Sequence, residues 1–109
     1  MDSDHMRSLR LAFGLSQERL AQLVGVSVRT VARWEGGHSR PSHLAERQLR
    51  GLEELQLLLV RVMRPDSVGE WMVRPNDRFG GRSPNQVLLS DGPEPILRLL
   101  QELSTARGG

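Results

Sequence analysis

The chain has 109 residues, room for one compact domain or for two very small helical units that share a core. It contains no cysteine, which excludes disulfides, thiol catalysis and thiolate metal sites. Its net charge of +2 comes from 15 basic residues, all of them arginine, against 13 acids.

The excess positive charge lies in residues 1–43, where Arg7, Arg10, Arg19, Arg29, Arg33 and Arg40 outnumber Asp2, Asp4, Glu18 and Glu35, so a polyanion is expected to bind the N-terminal half. The first stretch, MDSDHM, is acidic and has no apolar run, so it is not a signal peptide. Met6 reads as the natural start, with MDSDH an extension ahead of it, because the first apolar helical pattern, Leu9, Ala12 and Phe13, begins only after it.

The segment LSQERLAQLVGVSVRTVARWEGG then carries two short helical patterns separated by a glycine. Ser16 is placed to cap the first, since its hydroxyl can accept from the free amides of the opening turn, and Leu20, Leu23 and Val24 share one face. Gly25 supplies the positive φ that ends such a helix at little cost. Ser27 caps the second helix, Val31 and Trp34 fall on its buried side, and Gly36-Gly37 stops it. A tryptophan among basic residues can suggest base stacking, but the register of Trp34 with Val31 makes it a core residue.

Ala21 is small where two helices must cross closely, Gly25 follows four residues on, and Val31 and Trp34 come at helical intervals. This is the spacing of a helix-turn-helix, whose tight turn holds the second helix out so that its first side chains can enter a major groove. Residues 6–42 resemble the Xre/Cro family of phage-repressor-like domains. The resemblance implies that Gln17 bonds a phosphate of double-stranded operator DNA and that Val28, Arg29 and Arg33 face the groove. Each arginine can make a bidentate contact to guanine, and Val28 can touch a thymine methyl. Thr30 and Arg10 are further candidates for the DNA backbone. The other reading makes Arg29 and Arg33 solvated residues on a module kept only as a scaffold.

Pro41 prevents a helix from running through Arg40-Pro41-Ser42. From 43 to 64, Ala45, Leu49, Leu52, Leu55, Leu59 and Val62 recur at spacings of four, three, three, four and three, a continuous apolar stripe on a connecting helix. Leu57, Leu58 and Val60 widen it, so its later turns are expected to be buried on two sides, against the C-terminal unit and a second subunit. A coiled-coil zipper is the alternative, although the stripe is short and Glu53, Glu54 and Gln56 form no clean flanking pattern. The apolar run from Leu55 to Val60 falls far short of the ~20 residues that cross a bilayer, so a soluble cytoplasmic protein without membrane contact is expected. His5, His38 and His43 lack the i,i+4 pairing of a helical metal site.

PDSVGEWMVRPNDRFGGRSPNQVLLSDGPEPILRLLQEL reads as three short helices joined by sharp loops. Pro65-Asp66-Ser67 opens the first, which carries Val68, Trp71 and Met72 and ends near Pro75. Ser83 caps the second, with Pro84 at N1, where a missing amide hydrogen does no harm; Val87, Leu88 and Leu89 point inward, and Asp91-Gly92 stops it. Pro93-Glu94-Pro95 opens the third, with Ile96, Leu99, Leu100 and Leu103 at core spacing. The expected fold is all-α: a helix-turn-helix bundle at 6–42, a connecting helix at 43–64, a small helical unit at 65–104 and a flexible tail at 105–109. Gly80-Gly81 ahead of a helix can suggest a phosphate loop, but no Gly-Lys-[Ser/Thr] and no strand pattern accompany it. No acidic pair, Ser/His/Asp set or ligand cluster is placed for chemistry, so neither an enzyme nor a cofactor is expected.

The ordered run Trp71, Pro75, Asn76, Gly80, Gly81, Arg82, Ser83, Pro84 and Asp91-Gly92 closely resembles the C-terminal domain of the Xre/MbcA/ParS antitoxins, from about Pro65 to Leu103. The resemblance implies a toxin-binding unit whose partner is a RES-domain toxin, an enzyme that destroys NAD or uses it to modify a protein. Neutralisation is then steric, with the antitoxin unit packed over the toxin's NAD cleft. Asn76, Arg78, Gly80, Gly81, Arg82 and Ser83 are its candidate contacts, and the tail residues Arg107, Gly108 and Gly109 are candidates to reach into the cleft. Arg78 and Arg82 can instead pair locally with Asp77 or Asp91. A homodimer, held largely through its C-terminal half, is expected to set two recognition helices one DNA turn apart, ~34 Å. The alternative is a free-standing Xre-family repressor whose second half only dimerises.

Overall fold

The computed structural model describes residues 1–108, with side chains through Thr105. The described residues form seven α-helices and no strand: α1 Ser3–Ala12, α2 Gln17–Val24, α3 Val28–Glu35, α4 His43–Val62, α5 Pro65–Val73, α6 Pro84–Asp91 and α7 Glu94–Gly108, with a 3-10 turn at Asp77–Phe79. The all-α fold expected from the sequence is what the chain adopts. None of these helices is long and apolar enough to cross a membrane.

Helices as short as α2, α3 and α6, eight residues each, lie below the roughly 12–15 residues at which an isolated helix becomes marginal in water. They hold because their ends are capped and one face is buried. The hydroxyls of Ser16, Ser27 and Ser83 accept from the backbone amides of Arg19, Thr30 and Gln86, as their spacing implies. Ser83 goes further: Gln86 Oε1 accepts from the Ser83 amide at 2.8 Å, closing a reciprocal box. Gly25 takes φ +80° and its amide donates to Ala21, which turns the chain from α2 into α3.

A single hydrophobic core runs through the molecule, from Met6, Leu9 and Phe13 of the first helix region to Ile96 and Leu100 of α7. Its spine is α4, whose Leu49, Leu55 and Leu59 are fully buried. Each such side chain contributes roughly 1.5–3 kcal/mol relative to exposure. α4 packs on α1 and α2 of the first half and on α5 and α7 of the second. α1 also meets α5, and α2 meets α6, so neither half stands alone.

Several expectations are modified. The first helix starts at Ser3, capped by Asp2, because residues 3–5 can form its opening turn ahead of Met6. Leu89 is only half-buried and Leu103 is 37% exposed, since each sits at the edge of its helix's packed stripe. Leu57 and Val60 are exposed on the single chain, so the C-terminal unit does not cover that side of α4. The helical backbone of α7 continues to Gly108.

The most constrained polar group is Glu35, whose side chain is 2% exposed. Arg10 Nε and Nη2 donate to its two carboxylate oxygens at 2.7 and 2.9 Å, and Gln17 Nε2 donates to Oε1 at 3.2 Å. Arg7 approaches Oε1 at 3.6 Å. Burial pushes the Glu35 carboxyl up, but the hydrogen bonds from Arg10 and Gln17 and the charges of Arg10 and Arg7 outweigh it and hold the group below the ordinary carboxylate range. A depressed carboxyl contributes stability above its unfolded pKa, about 4.3, and loses it as pH falls through the folded value. Glu35→Gln is therefore expected to cost about 3 kcal/mol at pH 7, the scale for breaking a buried pair. Thermal melts should show the gap between wild type and variant closing below about pH 4; a gap that stays constant from pH 7 to 3 would rule out an ionised Glu35 as its source.

Candidate functional site

Two exposed features lie one in each half of the chain. In the first, α2 and α3 meet at the Gly25 turn, with Val31, Trp34 and Glu35 on the buried side of α3. That leaves Arg29 and Arg33, one helical turn apart, pointing to solvent beside Val28, which is 41% exposed. Among the described residues neither arginine has an ion-pair partner. Arg19 and Arg40 are likewise free of ion pairs, whereas Arg7 and Arg10 are drawn to Glu35. The unpaired cations of the first half are thus Arg19, Arg29, Arg33 and Arg40.

Three other candidates from this half are placed differently. Arg10 is turned inward, its side chain 13% exposed, because the buried Glu35 needs a cation; it is part of the core and not of an exposed surface. Gln17, at the start of α2, gives one of its two amide hydrogens to Glu35 and keeps the other. The Thr30 hydroxyl lies 2.9 Å from Ser27 Oγ and completes the cap of α3. Glu35 and its partners were missed in the sequence, although the signal was present: Glu35 follows Val31 by four residues, and Arg10 follows Met6 by four, which puts both on buried stripes.

The second feature is the loop from Asn76 to Ser83. The Asn76 backbone carbonyl accepts from the amides of Phe79 and Gly81, both at 3.0 Å, its amide donates to the Arg82 carbonyl at 3.0 Å, and its side chain accepts from the Arg78 amide at 2.9 Å. This closure requires two successive residues in the left-handed region, Gly80 at φ +66° and Gly81 at φ +88°. Arg82 Nη1 donates to Ser90 Oγ and Nη2 to Asp91 Oδ2, each at 3.0 Å. Hydrogen bonds from Arg82 and Ser90, with the Arg82 charge, hold the Asp91 carboxyl below its usual range. Arg78 pairs with Glu102 of α7. The loop is therefore tied to both helices that follow it.

Of the residues singled out here, Asn76 and Ser83 serve the loop itself, and Ser83 is 8% exposed. Gly80, Gly81, Arg78 and Arg82 form the exposed rim, the arginines carrying ion-pair partners on α7 and α6. The side chains of Arg107 and Gly108, and Gly109 entirely, lie outside the described residues. Among those described, no group of three or more His, Asp or Glu side chains is gathered to hold a metal ion.

Residues 6–42 match the helix-turn-helix family. A probable mycobacterial cidal antitoxin of Mycobacterium tuberculosis is 33% identical over 84 residues, covering 77% of this chain and 71% of the relative. The chain belongs to the family of MbcA-type antitoxins. The mycobacterial cidal antitoxin MbcA of the same species is 29% identical over 91 residues, 84% of this chain and 80% of MbcA. A chain in the crystal structure of the M. tuberculosis MbcT–MbcA toxin–antitoxin complex superposes with a TM-score of 0.70 at 25% identity, covering 95% of this chain and 94% of that one. The likeness extends beyond the helix-turn-helix into the second half of this MbcA-type chain, where the glycine loop lies.

No atom of the described residues lies within 4 Å of a Cβ built at Gly80 or Gly81. Alanine at either position therefore tests backbone conformation alone. Gly80→Ala and Gly81→Ala are each expected to lower stability by about 1–2 kcal/mol in denaturant titrations. Gly69→Ala, on α5 with equally open surroundings, should be neutral or stabilising.

Proposed function

We propose that the chain neutralises a RES-domain, NAD-consuming toxin by covering its cleft with the second half, and represses its own operon through α3. The observation that carries the first part is the likeness over 95% of the chain to a chain of a toxin–antitoxin complex. The exposed rim of the glycine loop, with Gly80, Gly81, Arg78 and Arg82, supports the second half as the toxin-facing surface. Its ion pairs to α6 and α7 hold the rim in one shape, which lowers the ordering cost of docking. The chain acts in this reading by binding and carries out no chemistry of its own.

Operator recognition rests on Arg29 and Arg33. They are exposed, one turn apart and unpaired among the described residues, so neither must break an internal contact to reach a guanine edge. Val28 beside them is suited to a thymine methyl, and the second amide hydrogen of Gln17 to a phosphate. Thr30 supports this surface by fixing the start of α3. A pair of chains related by a two-fold axis would present two such helices to a palindromic site.

Arg29→Ala and Arg33→Ala should each weaken binding to the operon's upstream DNA by roughly tenfold to hundredfold in fluorescence anisotropy. Melting temperature and toxin neutralisation should be unchanged. Equal loss of neutralisation would sink the division of labour between the two halves. Co-expression with the neighbouring reading frame completes the test: a complex that consumes NAD only after this chain is stripped away is the expected result, and a neighbour that neither binds nor consumes NAD would overturn it.

A further inference from the structure

Gly51 stands in the middle of the 20-residue α4, where glycine lowers helix stability by about 1 kcal/mol relative to alanine. Nothing among the described residues accounts for it: none of their atoms lies within 4 Å of where its Cβ would be. Leu44 and Leu58 lie seven residues to either side of Gly51, on the same face within roughly 40° of one line. Leu44 is 66% exposed and Leu58 only partly buried. Arg47 and Glu54 flank the glycine on one side of this face, and among the described residues neither has an ion-pair partner.

We infer that this face of α4 is where a second copy of the chain docks, antiparallel, with the two-fold axis passing through Gly51. The register is self-complementary. With Gly51 against its counterpart, Leu44 of each chain meets Leu58 of the other. In an antiparallel pair the same flank of both helices meets, so Arg47 falls beside Glu54 of the other chain in two equivalent ion pairs. Gly51 has the property a crossing point needs, since a missing side chain lets two helix backbones approach closely. The contact joins the two chains through the connecting helix.

This interface rests on the two-fold reading of operator binding for its purpose. At 1.5 Å per residue, a crossing at Gly51 sets the two α4 N-termini about 24 Å apart along the helix axis. The two helix-turn-helix units, which precede those N-termini, are carried away from each other, in the sense that two half-sites require.

Light scattering is expected to give a dimer for the wild type. Gly51→Arg and Arg47→Glu should each weaken self-association by about tenfold or more through a clash or like charges. The double variant Arg47→Glu/Glu54→Arg should restore it, and circular dichroism should show unchanged helix in all of them. Because the chain has no cysteine, Gly51→Cys can form a disulfide only with a second chain and should oxidise to a covalent dimer. Leu44→Cys alone should not, since its two copies would lie about 21 Å apart; Leu44→Cys with Leu58→Cys in one chain should cross-link. A wild-type dimer that ignores these substitutions would leave the two-fold reading standing and remove this face from it. A monomeric wild type would overturn both.

Discussion

The first half of the molecule is organised around one buried carboxylate. Glu35, at the last residue of α3, is almost wholly removed from water and is satisfied by Arg10 from α1 and Gln17 from α2. A charge in that position is tolerated only when its lone pairs are filled. Filling them fixes three helices relative to one another. The apolar contacts of Val31 and Trp34 drive α3 onto the core, but they are not directional. The bidentate pair with Arg10 sets the orientation, and so determines which side of α3 is left outward.

That orientation separates the arginines into two kinds. Arg7 and Arg10 face Glu35 and serve the fold, while Arg29 and Arg33 are on the other side of α3 with no internal partner among the described residues. The positive surface is thus narrower than the charge count implies. In the second half the same division recurs, with Arg78 and Arg82 engaged by Glu102 and Asp91. Exposed pairs of this kind contribute little stability, typically under about 1 kcal/mol. Their effect is geometric, pinning a glycine loop whose backbone would otherwise have many conformations to lose.

α4 links the two halves. One side of it completes the core beneath α1, α5 and α7, so that two units each too small to be secure alone share one interior. The exposed Arg29–Arg33 surface and the glycine loop are thus carried on one body about 46 Å long.

Much of this was legible in the amino-acid order. Local rules are short-range, and they located the serine caps at 16, 27 and 83, the Gly25 turn, the α4 stripe and the burial of Trp34, because a cap or a helical face depends only on residues within one or two turns. The antitoxin family was legible too, through the resemblance of the ordered run from Trp71 to Gly92 to the C-terminal domain of the Xre/MbcA/ParS antitoxins. What the sequence could not decide was pairing at a distance. Arg10 and Glu35 are 25 residues apart, Arg78 and Glu102 are 24 apart, and an arginine that will be bonded looks the same in the chain as one that will be free. Nor could it show that the C-terminal unit leaves Leu57 and Val60 of α4 exposed. Those outcomes were decided only when the helices packed, because a long side chain's partner is set by which helix lies across from it and not by its neighbours in sequence.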